Sequence, residues 1–176
     1  RRPHDFKKPG SKERKLESYD ENCPFCPGNE HLTPDSVFTL ADPKDPQKWA
    51  VRVVPNKFPA LATPGPGTER KRVRKGLYLE MCGCGTHEVV IEGQDHSKTI
   101  ATMSTDQVRL IIQTYRDRFL ELDKSDWNQL IIIFRNQGEG AGTSLVHPHS
   151  QIIGTPIVPD EIRRRLEEAQ RYYDDH

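Results

Sequence analysis

The chain has no surplus of charge of either sign. Its 26 basic and 26 acidic residues cancel to a formal net charge of zero over 176 residues. Proteins that hold nucleic acid mainly through its phosphates carry a surplus of Lys and Arg, so this balance argues against nucleic acid as the main partner. The sequence also has no apolar run near the ~20 residues that cross a bilayer, and no secretory signal. We therefore expect no membrane partner either.

Hydrophobic residues are few, at 34% of the chain, but they are clustered enough to build a core. The length suits one ordinary domain, residues 1–176. The sequence begins without Met and ends at YYDDH, within a predicted helix. We therefore expect this domain to be a fragment of a longer protein.

Cysteine is scarce as well, and the four cysteines fall into two close pairs. Cys23 and Cys26 form CPFC, and Cys82 and Cys84 form CGCG. Spacings this short do not build an ordinary disulfide framework. Because a secretory signal is also missing, we expect free thiols and a cytoplasmic location.

The CPFC pair has three interpretations. It can offer two thiolates to one tetrahedral zinc, form a redox pair, or pack in a tight turn without further chemistry. The redox interpretation is the weakest, because no predicted strand leads into a helix at this point. A zinc site needs two more ligands, and the candidates are His87, His96, His147, Cys82 and Cys84.

Short segments rich in β-branched residues predict strands. Residues 56–76 are instead rich in Pro and Gly and end in a basic run. That run predicts a solvated loop, with contact to a phosphate as the alternative. The predicted strands lie at 37–40, 49–55, 87–93, 129–135 and 151–158.

Two helices are predicted. The first covers 105–122, where Ser104 can cap the N-terminus and Gln107 can reach back to it in a capping box. The second begins at Pro159 and Asp160. The apolar face of the first helix consists of residues at helical spacing, namely Val108, Ile111, Ile112, Tyr115, Phe119 and Leu122.

A glycine-rich segment, FRNQGEGAGTS, follows the strand predicted at 129–135. Gly138, Gly140 and Gly142 let the backbone approach a ligand closely and present N–H groups to phosphate oxygens. The segment is not a Walker loop, since no GK[ST] follows, and it does not lead into a helix as a dinucleotide fingerprint would. A phosphate-binding loop and an ordinary hairpin loop both remain open.

The segment LVHPHSQ comes next. In an extended backbone, residues two apart share one face, so His147 and His149 point the same way. Both could bind a metal, or one could bind the metal while the other attacks a substrate. Histidine is a competent nucleophile at phosphorus.

Taken together, these residues resemble the active-site signature F-x-N-x-G-x3-G-x4-H-P-H-x-Q of the galactose-1-phosphate uridylyltransferases, a family of the histidine-triad superfamily. RRPHDF, CPFCPGNE, VRVVPNKFPAL, HEVVIEGQDHSKT and TPIVPDE also fall in the order of that family. The signature is carried here by Phe134, Asn136, Gly138, Gly142, His147, Pro148, His149 and Gln151.

The resemblance covers nearly the whole chain and implies the N-terminal half of such an enzyme, with a second related domain outside it. It implies an α+β, histidine-triad-like domain with an antiparallel β-sheet and packed helices. It also implies that a uridylyl group passes from UDP-glucose to a histidine, glucose 1-phosphate leaves, and galactose 1-phosphate accepts the nucleotide. A nucleoside diphosphate sugar and a sugar 1-phosphate are then the partners of a homodimer.

The resemblance also implies roles for single residues. His149 matches the nucleophile, and Gln151 matches the glutamine that steadies the phosphoryl group. The metal ion would hold the strand of the nucleophile in place without activating water. The zinc (Zn2+) ligands of the family match Cys23, Cys26, His96 and His147.

Further positions match substrate contacts of the family. Arg2 matches an arginine that reaches across a dimer interface toward the substrate. Asn56 and Asn136 match contacts to the nucleotide, while Gly142 and Ser144 match contacts to phosphate.

Some features depart from the family pattern. Ser150 stands where many uridylyltransferases have glycine, and plant-type relatives with HSHSQ-like sequences act on ADP-glucose with phosphate as acceptor. The base and the acceptor therefore stay open. Cys82 and Cys84 are either competing zinc ligands or packed or free thiols, and we expect His87 to be a strand residue.

Two other functions compete with nucleotidyl transfer to a sugar phosphate. One is hydrolysis of a nucleotide conjugate. The other belongs to a different class: a zinc-stabilised binding module that catalyses nothing. The glycine-rich segment and Gln151 beside HPH argue against the binding module.

Overall fold

The structure describes most of the chain. Three predicted substrate contacts, Arg2, Gly142 and Ser144, lie outside the described residues and stay predictions. The computed structural model describes residues 17–138, 141, 143 and 145–175.

The described residues form seven strands and two α-helices. Five strands make one antiparallel sheet, in which the fifth and seventh strands occupy central positions, and the third and fourth strands pair in a separate hairpin. This arrangement confirms the α+β fold class with an antiparallel sheet. In chain order the strands are β1 (Phe38–Asp42), β2 (Asp45–Pro55), β3 (Val73–Lys75), β4 (Tyr78–Glu80), β5 (Thr86–Ile91), β6 (Leu130–Phe134) and β7 (His149–Thr155).

The five strands of the sheet follow the order β1-β2-β5-β7-β6. Each contains most of the residues predicted for it from its β-branched composition, and the bounds differ by a few residues. Every neighbouring pair is antiparallel. The sequence therefore predicted where the strands lie along the chain. It did not predict which strands pair in the sheet.

The β3–β4 hairpin corrects the prediction of a loop over 56–76. Val73 pairs with Glu80, and Lys75 pairs with Tyr78. Gly76 turns the chain between the two strands with a φ of 59°, a conformation that glycine adopts without steric cost. The sequence did not predict this short strand because it lies in a basic run, and such a run is compatible with an exposed strand as well as with a loop.

One face of the sheet packs against the first helix. Side chains alternate between the two faces along a strand, so Val51 and Val53 of β2 lie on the same face as Val90 of β5. Ile152 of β7 and Ile111 of the helix complete the centre of this buried cluster. This is the main hydrophobic core of the described residues.

The opposite face carries a second core and the candidate site. Val89 and Ile91 of β5 pack there against the segment 23–26. In the β5–β7 register, Ile91 pairs with His149 and Val89 pairs with Gln151. His149 and Gln151 therefore point away from the helix, toward the CPFC segment.

Helix α1 spans Thr105–Leu122, as predicted. The Ser104 Oγ accepts the backbone N–H of Gln107 at 3.2 Å, which confirms the N-cap. The second half of the capping box is wrong, however. The Gln107 side chain donates to the carbonyl oxygens of Ala50, at 3.0 Å, and Glu92, at 2.7 Å. These bonds tie the helix to two strands instead of to its own first residue.

The apolar face predicted for α1 is wrong at two positions. Ile112 is 54% exposed and Phe119 is 41% exposed, whereas Thr114 and Arg118 are buried. The Arg118 guanidinium donates to both carboxylate oxygens of Glu88, on β5, at 2.6 and 2.9 Å. The pairing with Glu88 allows a charged residue to occupy the sheet-facing side of the helix.

Helix α2 spans Asp160–Asp175 and begins where Pro159 and Asp160 predict. None of its described residues is buried. Among the residues that the structure describes, no helix is long and apolar enough to cross a membrane.

Candidate active site and metal centre

The CPFC segment folds into a compact turn that presents two thiols. The N–H of Cys26 donates to the carbonyl of Cys23 at 3.2 Å, and the Asn29 side chain donates to the carbonyls of Glu21 and Cys23, each at 2.9 Å. Gly28, with a φ of 91°, allows the chain to turn sharply after the second cysteine. Both thiols are consequently buried and lie side by side.

Four potential metal ligands meet on this face of the sheet. The ligating atoms of Cys23, Cys26, His96 and His147 all lie within 4.8 Å of one another, and all four residues are buried. The Sγ of Cys26 lies 3.5 Å from Nδ1 of His96 and 3.6 Å from Nδ1 of His147. The arrangement is compatible with a metal site built from the four residues that the resemblance implied.

The other candidate ligands lie elsewhere. This cluster includes neither Cys82 nor Cys84, and Cys82 Sγ instead contacts the carbonyl of Glu69 at 3.7 Å. Hydrogen bonding to Cys82 raises the pKa of the Cys84 thiol, which favours the protonated form of Cys84. His87 is part of β5, as expected of a strand histidine, and is also outside the cluster.

A hydrogen bond from the second ring nitrogen of His147 orients the ring for metal binding. Its Nε2 lies 2.8 Å from the carbonyl oxygen of Gly93, which can only accept, so Nε2 carries the proton. Nδ1 then keeps its lone pair and faces Cys26. Burial lowers the pKa of His147 to about 4, so the ring is neutral at physiological pH.

Cys23 shows the opposite effect of burial. Loss of solvation raises the pKa of its thiol to about 11. In the absence of a cation this side chain therefore holds its proton at neutral pH. A metal ion would supply the positive charge that stabilises the thiolate.

His149 begins β7 on the same face and is 9% exposed. Its Nδ1 lies 2.8 Å from the carbonyl oxygen of His147 and must donate to it. In the neutral ring, Nε2 then has a free lone pair. The ring of Phe25 contacts that of His149 edge to face, with centroids 5.4 Å apart, and restricts its rotation.

Gln151 lies two residues along β7, on the same face as His149. Its Oε1 is 2.7 Å from Nε2 of His87 and 3.5 Å from Nδ2 of Asn56. The structure thus brings Asn56 to the site. Asn136 is exposed just beyond β6, and its predicted contact to a nucleotide stays a prediction.

A buried carboxylate below β7 was missed in the sequence. Glu92 is fully buried, and Arg135 Nε donates to it at 2.9 Å. The hydroxyls of Tyr115 and Ser150 contact the same carboxylate. Burial and the charge of Glu92 raise the pKa of Tyr115, which keeps this hydroxyl a donor. The only sequence signal was the departure at Ser150, which follows His149 directly.

Comparisons with known proteins agree with this fold. The antiparallel sheet, with HPH leading into β7 beside the cysteine and histidine cluster, defines a histidine-triad-like α+β domain. The chain belongs to the galactose-1-phosphate uridyl transferase family, whose N-terminal domain matches residues 1–159. The resemblance stated from the motifs is therefore confirmed.

Individual relatives include two kinds of enzyme. The ADP-glucose phosphorylase of Arabidopsis thaliana is 31% identical over 175 residues, which is 99% of this chain and 48% of the relative. The galactose-1-phosphate uridylyltransferase of Thermotoga maritima is 26% identical over 165 residues, covering 94% of this chain and 47% of the relative.

A solved structure matches this chain over a similar extent. The crystal structure of an Arabidopsis thaliana ADP-glucose phosphorylase with bound ADP-glucose matches with a TM-score of 0.75 and 29% identity. The match covers 92% of this chain and 49% of that one. This chain therefore spans about half the length of the relatives it matches.

Proposed function

We propose that the protein transfers a nucleotidyl group from a nucleoside diphosphate sugar to a phosphate-bearing acceptor through a covalent bond to His149. The observation that carries this proposal is the fixed tautomer of His149. With Nδ1–H held by the carbonyl of His147 at 2.8 Å, the lone pair on Nε2 is free to attack phosphorus.

The proposed cycle has two balanced steps. First, Nε2 of His149 attacks the α-phosphorus, the bond to the bridging oxygen breaks, and sugar 1-phosphate leaves with the electron pair. Second, an oxygen of the acceptor phosphate attacks the same phosphorus and the P–N bond breaks, which regenerates neutral His149. The reaction is therefore ping-pong, and no acid–base pair is required.

Gln151 supports the transfer from the same face of β7. Its Oε1 is occupied by contacts to His87 and Asn56, so its amide N–H groups remain for a phosphoryl oxygen. Phosphoryl-type transfer depends mostly on positioning and on stabilisation of developing charge, which such donors provide.

The donor set also supports Zn2+ as the metal. In a tetrahedral zinc site, bond lengths of about 2.3 Å to sulfur and about 2.0 Å to nitrogen place neighbouring S and N atoms about 3.5 Å apart. The Sγ of Cys26 lies 3.5 and 3.6 Å from its two nitrogen neighbours. A site with four protein ligands keeps no position for water, so zinc would hold the CPFC turn against the HPH segment.

Two substrate pairs are consistent with this chemistry. The family favours UDP-glucose as the donor and galactose 1-phosphate as the acceptor. The second candidate is ADP-glucose with phosphate as the acceptor. It is supported by the 31% identity to the ADP-glucose phosphorylase. The uridylyltransferases of Thermotoga maritima and Haemophilus influenzae, at 26% and 30% identity, support the first pair.

Intact-mass measurement tests the proposal directly. The zinc-loaded protein is mixed with UDP-glucose or ADP-glucose, alongside the variants His149→Ala and His31→Ala. His31 is an exposed histidine and serves as the matched control. We expect a nucleotide adduct on the wild type and on His31→Ala, and none on His149→Ala.

The mass of the adduct separates the two candidates. A UMP-sized adduct supports uridylyl transfer, and an AMP-sized adduct supports the second candidate. A folded, zinc-loaded protein that forms no adduct with either donor contradicts the proposal and supports the zinc-stabilised binding module.

A further inference from the structure

We propose that His87 is a positioning residue that sets the orientation of the Gln151 side-chain amide. This inference rests on the proposed function, since it concerns the groups that meet the transferred phosphoryl group. It assigns a role to a strand histidine that is outside the metal cluster and contacts Gln151.

The protonation state of His87 follows from its neighbours. The backbone N–H of Ala60 donates to Nδ1 at 2.9 Å. A backbone N–H can only donate, so Nδ1 must be the unprotonated nitrogen that accepts. The proton of the neutral imidazole is then on Nε2, which lies 2.7 Å from Oε1 of Gln151. His87 donates, and Gln151 accepts through its oxygen.

Asn56 adds a second donor to the same oxygen. Its Oδ1 accepts the backbone N–H of Phe58 at 2.9 Å, which leaves its Nδ2 as the group facing the site. That Nδ2 lies 3.5 Å from Oε1 of Gln151 and 3.0 Å from Nε2 of His87. With Nε2 of His87 protonated, the 3.0 Å contact joins two donors and is not a hydrogen bond. Both N–H groups instead face the carbonyl oxygen of Gln151.

This arrangement decides which end of the Gln151 amide faces the substrate. The terminal torsion of glutamine is broad and nearly two-fold, so the free side chain can present either oxygen or NH2. With His87 and Asn56 both donating, the flipped amide would place NH2 against two donors. The oxygen stays on the side of His87, and the NH2 group is left for an anionic oxygen of the substrate.

The sheet register explains why His87 can reach Gln151. Gln151 pairs directly with Val89, and His87 lies two residues away along β5 on the same face. Such diagonal neighbours are within reach of aromatic side chains. Ala60 belongs to the segment after β2, so His87 also links that segment to the site.

Two substitutions separate the contact to Gln151 from the contact to Ala60. In His87→Asn, the amide oxygen lies near the former Nδ1 and can still accept from Ala60, but residue 87 no longer donates to Gln151. In His87→Gln, the longer side chain brings an N–H near the former Nε2, which restores the donor. A purely structural role of His87 predicts the same behaviour for both variants.

The measurement is the single-turnover rate of adduct formation on His149 in the zinc-loaded, full-length protein. We expect His87→Asn to lower this rate by about 10- to 100-fold, because a misplaced catalytic group costs on that order. Affinity for the donor sugar nucleotide should change little. His87→Gln should recover most of the rate. Equal rates for the wild type and His87→Asn would overturn the proposal.

A double-mutant cycle tests whether His87 acts through Gln151. In the Gln151→Ala background, His87→Asn is expected to cause no further loss, because the amide that it orients is absent. Losses that multiply in the double variant would show that His87 acts by another route and would contradict the proposal.

Nitrogen-15 NMR of the imidazole gives a test that does not require activity. We expect the Nε2–H tautomer of His87 in the resting protein, and additional mobility of the Gln151 amide signals in His87→Asn. A Nδ1–H tautomer would overturn the inference. If the wild type forms no adduct but shows the expected tautomer, the proposed reaction fails while the His87–Gln151 contact stands.

Discussion

The carbonyl oxygen of His147 lies 2.8 Å from Nδ1 of His149. The side chain of His147 faces the four-ligand cluster, with its Nδ1 3.6 Å from Sγ of Cys26. Pro148 stiffens the link, and its carbonyl accepts the N–H of Glu92 at 3.1 Å. The side chain of His147 thus belongs to the cluster, while its backbone carbonyl fixes the tautomer of His149.

This connection predicts that removing zinc lowers both stability and adduct formation. A metal that binds only the folded state stabilises it by about 4 kcal/mol when its free concentration is a thousandfold above Kd. We expect chelation to lower the unfolding temperature and to slow nucleotide transfer to His149, and added zinc to restore both. Unchanged stability and rate after verified metal loss would show that the cluster does not support the site.

Zinc affinity is expected to rise with pH. Burial raises the pKa of Cys23 to about 11, so the metal-free protein holds this proton across neutral pH, and zinc must displace it. Between about pH 6 and about pH 9, release of this proton contributes about a tenfold fall in the apparent Kd for each unit that the pH rises. His147, with a pKa of about 4, is already neutral there and adds no dependence.

Competition with a chromophoric chelator at several pH values measures this slope. Calorimetry in buffers of different ionisation enthalpy counts the released protons independently. An affinity that stays flat with pH would mean that Cys23 is already a thiolate before the metal binds.

Local sequence patterns predicted much of this fold. Helical periodicity and the N-cap residue Ser104 predicted α1 at Thr105–Leu122, because both are local signals in the sequence. The spacing of CPFC and HPH, with the family resemblance, indicated the cluster of ligands. Such features depend on residues that are close together in the sequence, so they can be predicted before the fold is known.

Contacts set by strand register were not predictable in the same way. The pairing of Gln151 with Val89 brings His87 within reach of the Gln151 amide, and nothing in HEVVIE alone indicates that alignment. The burial of Arg118 likewise depends on Glu88 in a strand that lies far away along the sequence. A one-residue shift of register would move each strand side chain to the other face.

The CGCG segment offers a test of close packing against β7. A Cβ added at Gly85 would clash with the backbone carbonyl of Gly154 and with Leu61, whereas one added at Gly83 meets nothing within 4 Å. We expect Gly85→Ala to lower the free energy of unfolding by about 1–3 kcal/mol, as overpacked sites do. Gly83→Ala is the matched control and should be nearly neutral in urea denaturation. Equal stabilities would show that this contact relaxes without cost.

The buried ion pair between Arg118 and Glu88 gives the last prediction. Their side chains are only 10% and 6% exposed. Arg118→Ala leaves the Glu88 carboxylate buried without a partner, so we expect unfolding in urea to show a loss of about 3–5 kcal/mol. Arg116→Ala breaks only the solvent-exposed contact of Arg116 with Asp117 and should cost no more than about 1 kcal/mol.

The double variant Glu88→Leu with Arg118→Met separates the two possible origins of that loss. If the penalty comes from an unpaired buried charge, removing both charges should recover most of the stability, because apolar side chains of similar size fill the same space. If the double variant is as unstable as Arg118→Ala, the pair contributes through its hydrogen-bond geometry between α1 and β5 instead.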